Sequence, residues 1–486
     1  MDKIYDSQNK RELEMFFNFV SEKILQNELS LFLGAGSSIQ YGAINWSQLI
    51  KKVCANCYKR NECNHWNDTD RAQCAELEGI DVKWNVCNIL SDYDFEHNKT
   101  ETYLNYLLDF DFKSIWTTNY DCIIEDVLKH KFKEVSSIYR YEHFRNLSYL
   151  GGLFLFKING SISSPETIVI THEDFIDYKK SHEAYLILLK RELLCQNFLF
   201  LGCSFNDDIL RMCIKDILNC IENSGENYVT KHYAVIAEKD IDKLNYMCKD
   251  LSTHYNINCL KVHRPEHAYQ IALGIAKKVK LSSIFVSGAK RFERNSADES
   301  YGKQVCRDMV TAFLSVETMP YKFISGMGMS IGNFISGNVK NHCKKRDIKR
   351  YLEMEPFPFT SREANDRHRR CIMAKAGIFI FLYGDVDENL TNFEQGGMWK
   401  EYLISKSDEQ NIIIPLPCGN NSVSQIIFER ETKDTNSFSY KNKELLENFS
   451  VNKNNYEFFS KLVDRLSLAT REKFDAIIDQ IISQMA

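Results

Sequence analysis

Proline is scarce in this chain, at 7 of 486 residues, and glycine is modest at 21. Together these exclude long proline- or glycine-rich linkers and fibrous repeats. No run of about 18 apolar residues occurs, which excludes an ordinary membrane-spanning helix. Excess charge of one sign is also missing: 61 Lys and Arg oppose 66 Asp and Glu, a net charge of −5. The chain therefore lacks the overall basic footprint of a nucleic-acid binder. Its one basic cluster, KNHCKKRDIKR at 340–350, reads as a solvated face, although it remains compatible with phosphate-bearing small ligands.

What is present fits a soluble globular protein: 44% hydrophobic and 26% charged residues. The length exceeds what one hydrophobic core supports, so two domains are expected. The opening MDKIYDSQNKRELEMFFNFV begins with charges and lacks a signal-peptide core, which predicts a cytoplasmic protein. Sixteen cysteines then read as reduced thiols rather than disulfides. A crowded segment supplies Cys54, Cys57, Cys63 and His65, followed by Cys74 and Cys87. The first four resemble a zinc ligand set, but no second pair keeps finger spacing, so structural thiols are the preferred reading and no metal is expected.

Helical spacing of Leu13, Phe16, Phe17, Val20, Ile24 and Leu25 predicts an amphipathic helix over 9–27. Short apolar runs follow at 29–38, 112–121, 149–160, 197–207 and 232–238, with helical stretches between them. After about 275–283 the pattern restarts, with runs at 282–290, 322–337, 376–385 and 411–419. Strands alternating with helices predict an α/β protein of two doubly wound domains, 1–280 and 281–486. Ligands in such sheets gather at the carboxyl ends of the strands.

Polar and small residues collect at those ends. In GAGSSIQYGAINW (34–46) the glycines permit close backbone approach to a pyrophosphate, and the helix that follows favours negative charge. TTNYD (117–121) and GCSFNDD (202–208) bring Thr118, Asn119 and Asp121, then Gly202, Ser204 and Asp207, to the same predicted edge. A turn in FKINGS (156–161) carries Asn159, and Lys157 reads as a strand-end surface residue. His172, the nearest histidine after it, is assigned to a loop and helix start.

In this order, GAG-S with a later Gly and Trp, TTNYD, K-x-x-G-S and G-x-S-x-x-D resemble the sirtuin-type NAD-binding domain over roughly 10–275. The resemblance implies that Gly34, Ala35, Gly36 and Ser38 hold the NAD diphosphate, and that Thr118, Asp121, Gly202, Ser204 and Asp207 complete the pocket. It further implies that Asn119 orients the nicotinamide ribose. In that family a histidine is the catalytic base at the position of Asn159. An amide cannot take a proton near neutral pH, so the chain is expected to be impaired there, with a loss on the order of 10²- to 10⁴-fold.

FVSG (285–288), SGMGMSIG (325–332), RHRRCIMAKAGIFIFLYG (367–384) and GGMWKE (396–401) resemble the SLOG fold of the cytokinin-activating phosphoribohydrolases. This chain reads QGGMWKEY where those enzymes carry P-G-G-x-G-T, which implies a binding domain. The pairing resembles the NADase effectors of Thoeris antiphage systems. It implies NAD⁺ hydrolysis triggered by a cyclic ADP-ribose isomer from a TIR-domain partner protein, and a homotetramer. Effector contacts carried over are Ser287, Gly288, Gly326, Gly328, Arg369, Arg370 and Glu401. Neither a nucleic-acid nor a membrane partner is expected. Two alternatives stay open: a sirtuin-like protein deacylase, disfavoured because the C-x-x-C precedes position 159, and a non-catalytic nucleotide-sensing module.

Overall fold

A computed structural model of the chain describes residues 7–57, 66–91, 102–148, 152–205, 208–224, 230–316, 321–326, 330–344, 348–358, 361–384, 393–394, 396–418, 422–451 and 453–485. It divides into two compact units, one built on Glu28–Leu273 and the other on Met1–Asn27 with Gly274–Ser483.

Seven parallel strands form the first unit's sheet: β1 (Leu29–Leu33), β2 (Ile115–Thr117), β3 (Val135–Ile138), β4 (Leu153–Lys157), β5 (Asn197–Leu201), β6 (His232–Ala237) and β7 (Ile257–Val262). Their order is β3-β4-β2-β1-β5-β6-β7. Both central strands, β1 and β5, are buried throughout, as their largely apolar sequences LSLFL and NFLFL require in a sheet covered on both faces. They run in register, Leu29 opposite Asn197 through Leu33 opposite Leu201. Strand order reverses between β1 and β5, which makes their carboxyl ends the topological switch point.

Beside the sheet stands a helical lobe with its own apolar cluster. Leu49, Ile50 and Val53 of helix Trp46–Val53, Ala72 and Ala75 of helix Asp68–Leu77, and Val82 and Val86 of helix Val82–Ser91 meet Tyr120, Ile168 and Ile170 there. Asn45 and Gln48 close a reciprocal capping box at the start of the first of these helices, fixing where it begins.

The second unit holds five parallel strands: β8 (Ser283–Ala289), β9 (Lys322–Ser325), β10 (Leu352–Met354), β11 (Ile378–Tyr383) and β12 (Ile412–Pro415). Their order is β10-β9-β8-β11-β12, with the reversal between β8 and β11. The amphipathic opening helix runs Ser7–Leu25 and belongs to this unit, although the sequence division grouped it with residues up to 280. Phe17 packs edge-on to Phe474 of the last helix, Tyr456–Met485, with ring centroids 5.6 Å apart.

Candidate functional site

At the first switch point two tight turns are fused. The Gly34 and Gly36 amides donate to the carbonyls of Leu201 and Gly202, each at 3.0 Å. A Cβ on Gly34 would stand 2.4 Å from the Gly202 oxygen. Gly202 itself has φ +67°, and a Cβ there would meet the Ser37 amide nitrogen at 2.8 Å. Both glycines are thus demanded by the contact of one turn with the other, which in turn shapes the open edge above them.

Asn119 ties the third strand end to this pair. Its Nδ2 donates to the Gly34 carbonyl at 3.1 Å, to Ser37 Oγ at 3.2 Å and to Ser38 Oγ at 2.8 Å. Thr117 Oγ1 donates to the Leu33 carbonyl and accepts from the Asn119 amide. Asn119 and Ser38 are buried, Ala35 is exposed, and Thr118 is half-buried. The structure therefore brings Gly34, Ala35, Gly36, Ser38, Thr118, Asn119 and Gly202 to one edge, with Ser204 exposed beside them. Asp121, also buried, accepts through Oδ1 from the Ile123 amide at 3.0 Å at the start of helix Ile123–His130. Asp207 lies outside the described residues. Ser37, buried and donating to the Gly34 carbonyl, was missed in the sequence. Its only signal was its place inside the small-residue turn.

Asn159 follows β4, the neighbour of β2. Its backbone carbonyl accepts from the Val169 amide at 3.0 Å. The side chain is 6% exposed, and its Oδ1 has no hydrogen-bond partner among the described residues. An unsatisfied buried acceptor costs about 1–3 kcal/mol, which a donor on a bound molecule or a water would relieve. Gly160 (φ +93°) makes the turn; a Cβ there would lie 2.2 Å from the Thr167 oxygen.

The expectation for Lys157 is corrected. It is 1% exposed, not a surface residue, because its ammonium donates to the Asp121 carbonyl and to Glu125 Oε1 at 3.0 Å. Burial alone would lower its pKa, but the Glu125 carboxylate and other neighbouring groups outweigh that and raise it. The ion pair and the Asp121 carbonyl thus anchor the TTNYD segment to the strand before Asn159. His172 is exposed at the first position of helix His172–Ile176, 3.1 Å from Asp70.

In the second unit, the carried-over residues meet at the β8/β11 switch point and the helices beside it. Ser287 Oγ donates to Glu401 Oε2, and Arg369 Nε donates to Glu401 Oε1 at 3.0 Å. Burial pushes the Glu401 carboxyl upward in pKa, while Ser287 and Arg369 oppose that. The Arg369 guanidinium lies 4.9 Å from the Phe357 ring centre, and Phe357 covers Gly326, where a Cβ would be 2.3 Å from the ring edge. Gly397 leaves room for the same guanidinium, since a Cβ there would stand 2.9 Å from Nη2. Arg369 and Glu401 are thus engaged with each other, whereas Arg370 is exposed. Gly288 is half-buried at the end of β8, and Gly328 lies outside the described residues.

Tyr383 was not singled out in the sequence. It ends β11 with φ +58°, rare for a bulky residue, and its buried hydroxyl has no partner among the described residues. The Lys290 ammonium sits 5.2 Å from its ring centre. An aromatic directly before a glycine at a strand end was the available signal.

Both units match known protein families. Residues 113–260 match the SIR2-like domain family, and residues 269–471 match the Sir2- and TIR-associating SLOG family. The chain is 26% identical over 432 residues to an Enterococcus faecium protein named NAD(+) hydrolase ThsA, covering 84% of this chain and 88% of that protein. It is 23% identical over 424 residues to the protein of the same name from Bacillus cereus (strain MSX-D12), covering 83% and 86%.

Proposed function

With a SIR2-like domain and a SLOG domain joined in one chain, we propose that this protein is an effector built to hydrolyse NAD⁺ to ADP-ribose and nicotinamide. The observation that carries the reading is the fused turn Gly34–Ser38 clasped by Asn119, with the unpartnered Asn159 carboxamide oxygen beyond the end of β4. Small residues that permit close approach of a ligand to the backbone at a switch point suit a diphosphate. Asn119, Thr118, Gly202, Ser204, Asp121 and Asp207 are proposed to frame the rest of the nucleotide.

In the reaction the bond from ribose C1′ to the nicotinamide nitrogen breaks and a water oxygen takes its place, releasing one proton. Asn159 can hold the ribose by donating and accepting hydrogen bonds, but it cannot accept that proton. The proton must pass to solvent, and the present chain is slow for that reason. Activation is proposed to come from a cyclic ADP-ribose isomer, made by a TIR-domain partner and bound in the second unit near Ser287, Gly288, Gly326, Gly328 and Arg370. The Arg369–Glu401 pair would form the floor of that site. A homotetramer is the proposed assembly.

Nicotinamide release from NAD⁺, measured on this chain and on Asn159→His with and without cyclic ADP-ribose isomers, tests the proposal. The expected outcome is a gain of about 10²- to 10⁴-fold in the histidine variant, seen only with effector. Equal turnover in both chains would assign the base elsewhere. Tight NAD⁺ binding without turnover in either would favour a sensing module.

A further inference from the structure

The helical lobe of the first unit contains a cluster that the proposed NAD⁺ chemistry does not use. Cys57, Cys74 and Glu78 each offer one ligand atom, and the three atoms lie within 4.8 Å of one another. Cys57 follows the short 3₁₀ turn Cys54–Asn56, Cys74 lies on helix Asp68–Leu77, and Glu78 is that helix's C-cap residue. Cys74 and Glu78 are therefore four residues apart, the spacing that stacks two side chains on one helical face. Both thiols are buried, and Cys57 Sγ donates to Glu78 Oε2 at 3.3 Å.

We propose that Cys57, Cys74 and Glu78 bind one zinc ion. Two sulfurs and a carboxylate are a donor set that zinc accepts, with metal–sulfur distances of about 2.3 Å and metal–oxygen distances of about 2.0–2.2 Å. A tetrahedron of that size separates its sulfurs by about 3.8 Å, so the observed spacing needs only small side-chain movements to close. Binding converts both thiols to thiolates and releases two protons. Zinc then offsets two of the three negative charges, and water can fill the fourth position because Glu78 is exposed.

The set differs from the one that the sequence suggested. Cys54 Sγ is directed to the Arg71 carbonyl at 3.5 Å, and Cys63 and His65 lie outside the described residues. Cys74 and Glu78 take their place because the helix returns beside the 3₁₀ turn. Such an ion would staple that turn to helix Asp68–Leu77, inside the same apolar cluster that includes Tyr120 of the TTNYD strand end. It would thus stiffen the lobe next to Asn119.

The test is elemental analysis of the purified full chain equilibrated with zinc and dialysed, together with cobalt(II) titration of the metal-stripped chain. One zinc per chain and a near-ultraviolet thiolate-to-cobalt charge-transfer band are expected. Cys57→Ser and Cys74→Ser should abolish both, and Glu78→Ala, at an exposed position, should weaken zinc binding at least about tenfold. Cys54→Ser, in the same apolar cluster but with its Sγ at the Arg71 carbonyl, should keep both signals. A chain that takes up less than about a tenth of an equivalent overturns the site. So does retention of the metal by the Cys57 and Cys74 variants, or a Cys57–Cys74 disulfide in its place.

Discussion

Asn159 and Lys157 sit two residues apart, and both are buried. The Asn159 Oδ1 has no hydrogen-bond partner among the described residues. A lysine at a strand end reads as exposed, yet this one is buried against Glu125 and a carbonyl. His182, half-buried, is a titratable residue in the same unit. It stacks on Tyr178 with ring centroids 4.3 Å apart, and Ser181 Oγ lies 2.8 Å from its Nδ1. Burial lowers its pKa from the usual 6.5 to about 4, with Lys83 adding to the shift and Asp174 opposing it. The folded state therefore holds the neutral ring. The stability that this contributes is fully present above pH 6.5 and is lost as pH falls through about 4. Thermal unfolding followed between those limits should show midpoints falling with pH in the natural chain and a shallower fall in His182→Gln. Parallel curves would contradict the burial argument.

Among the elements, the strand-to-turn units were the most legible. Every apolar run expected to be a strand contains one, because central parallel strands are buried on both faces and leave a largely apolar signature. The three strands that no run announced, β3, β7 and β10, all lie at sheet edges. VSSI, INCLKV and LEM are interrupted by polar residues since an edge strand is only partly covered. Glycines separate in the same way. Gly34→Ala forces a Cβ into the Gly202 backbone, with no flexible group to give way. We expect a loss of about 1–3 kcal/mol in stability and weaker NAD⁺ binding. Gly337→Ala, inside helix Ile331–His342 with open space around it, should instead be neutral or gain about 0.5–1 kcal/mol. Denaturant midpoints of the two variants measure the contrast, and equal effects would mean that the turn relaxes.

For the whole molecule, the division of the chain was only half written in the order of its residues. The opening helix precedes the first sheet in sequence but packs within the second unit. Phe16, Phe17 and Val20 are buried there, Lys10 pairs with Asp479, and a Cβ on Gly274 would stand 2.6 Å from the Phe17 ring. Removing residues 1–27 uncovers the apolar face of helix Tyr456–Met485. Hydrogen exchange should then accelerate across 456–485, while unchanged protection there would show that the helix is held without the opening segment.

The sequence alone determined the α/β class, the central strands and the order of the motifs along the chain, because these depend on local apolar runs and on residue identity. Only the tertiary structure decided that Asn119 clasps the Gly34 turn, that Lys157 is buried, that Arg369 and Glu401 engage each other, and that Cys57 meets Cys74 and Glu78. Each of those contacts joins residues on separate elements. Chain order carries no measure of such a meeting, and the packing of buried surfaces sets it.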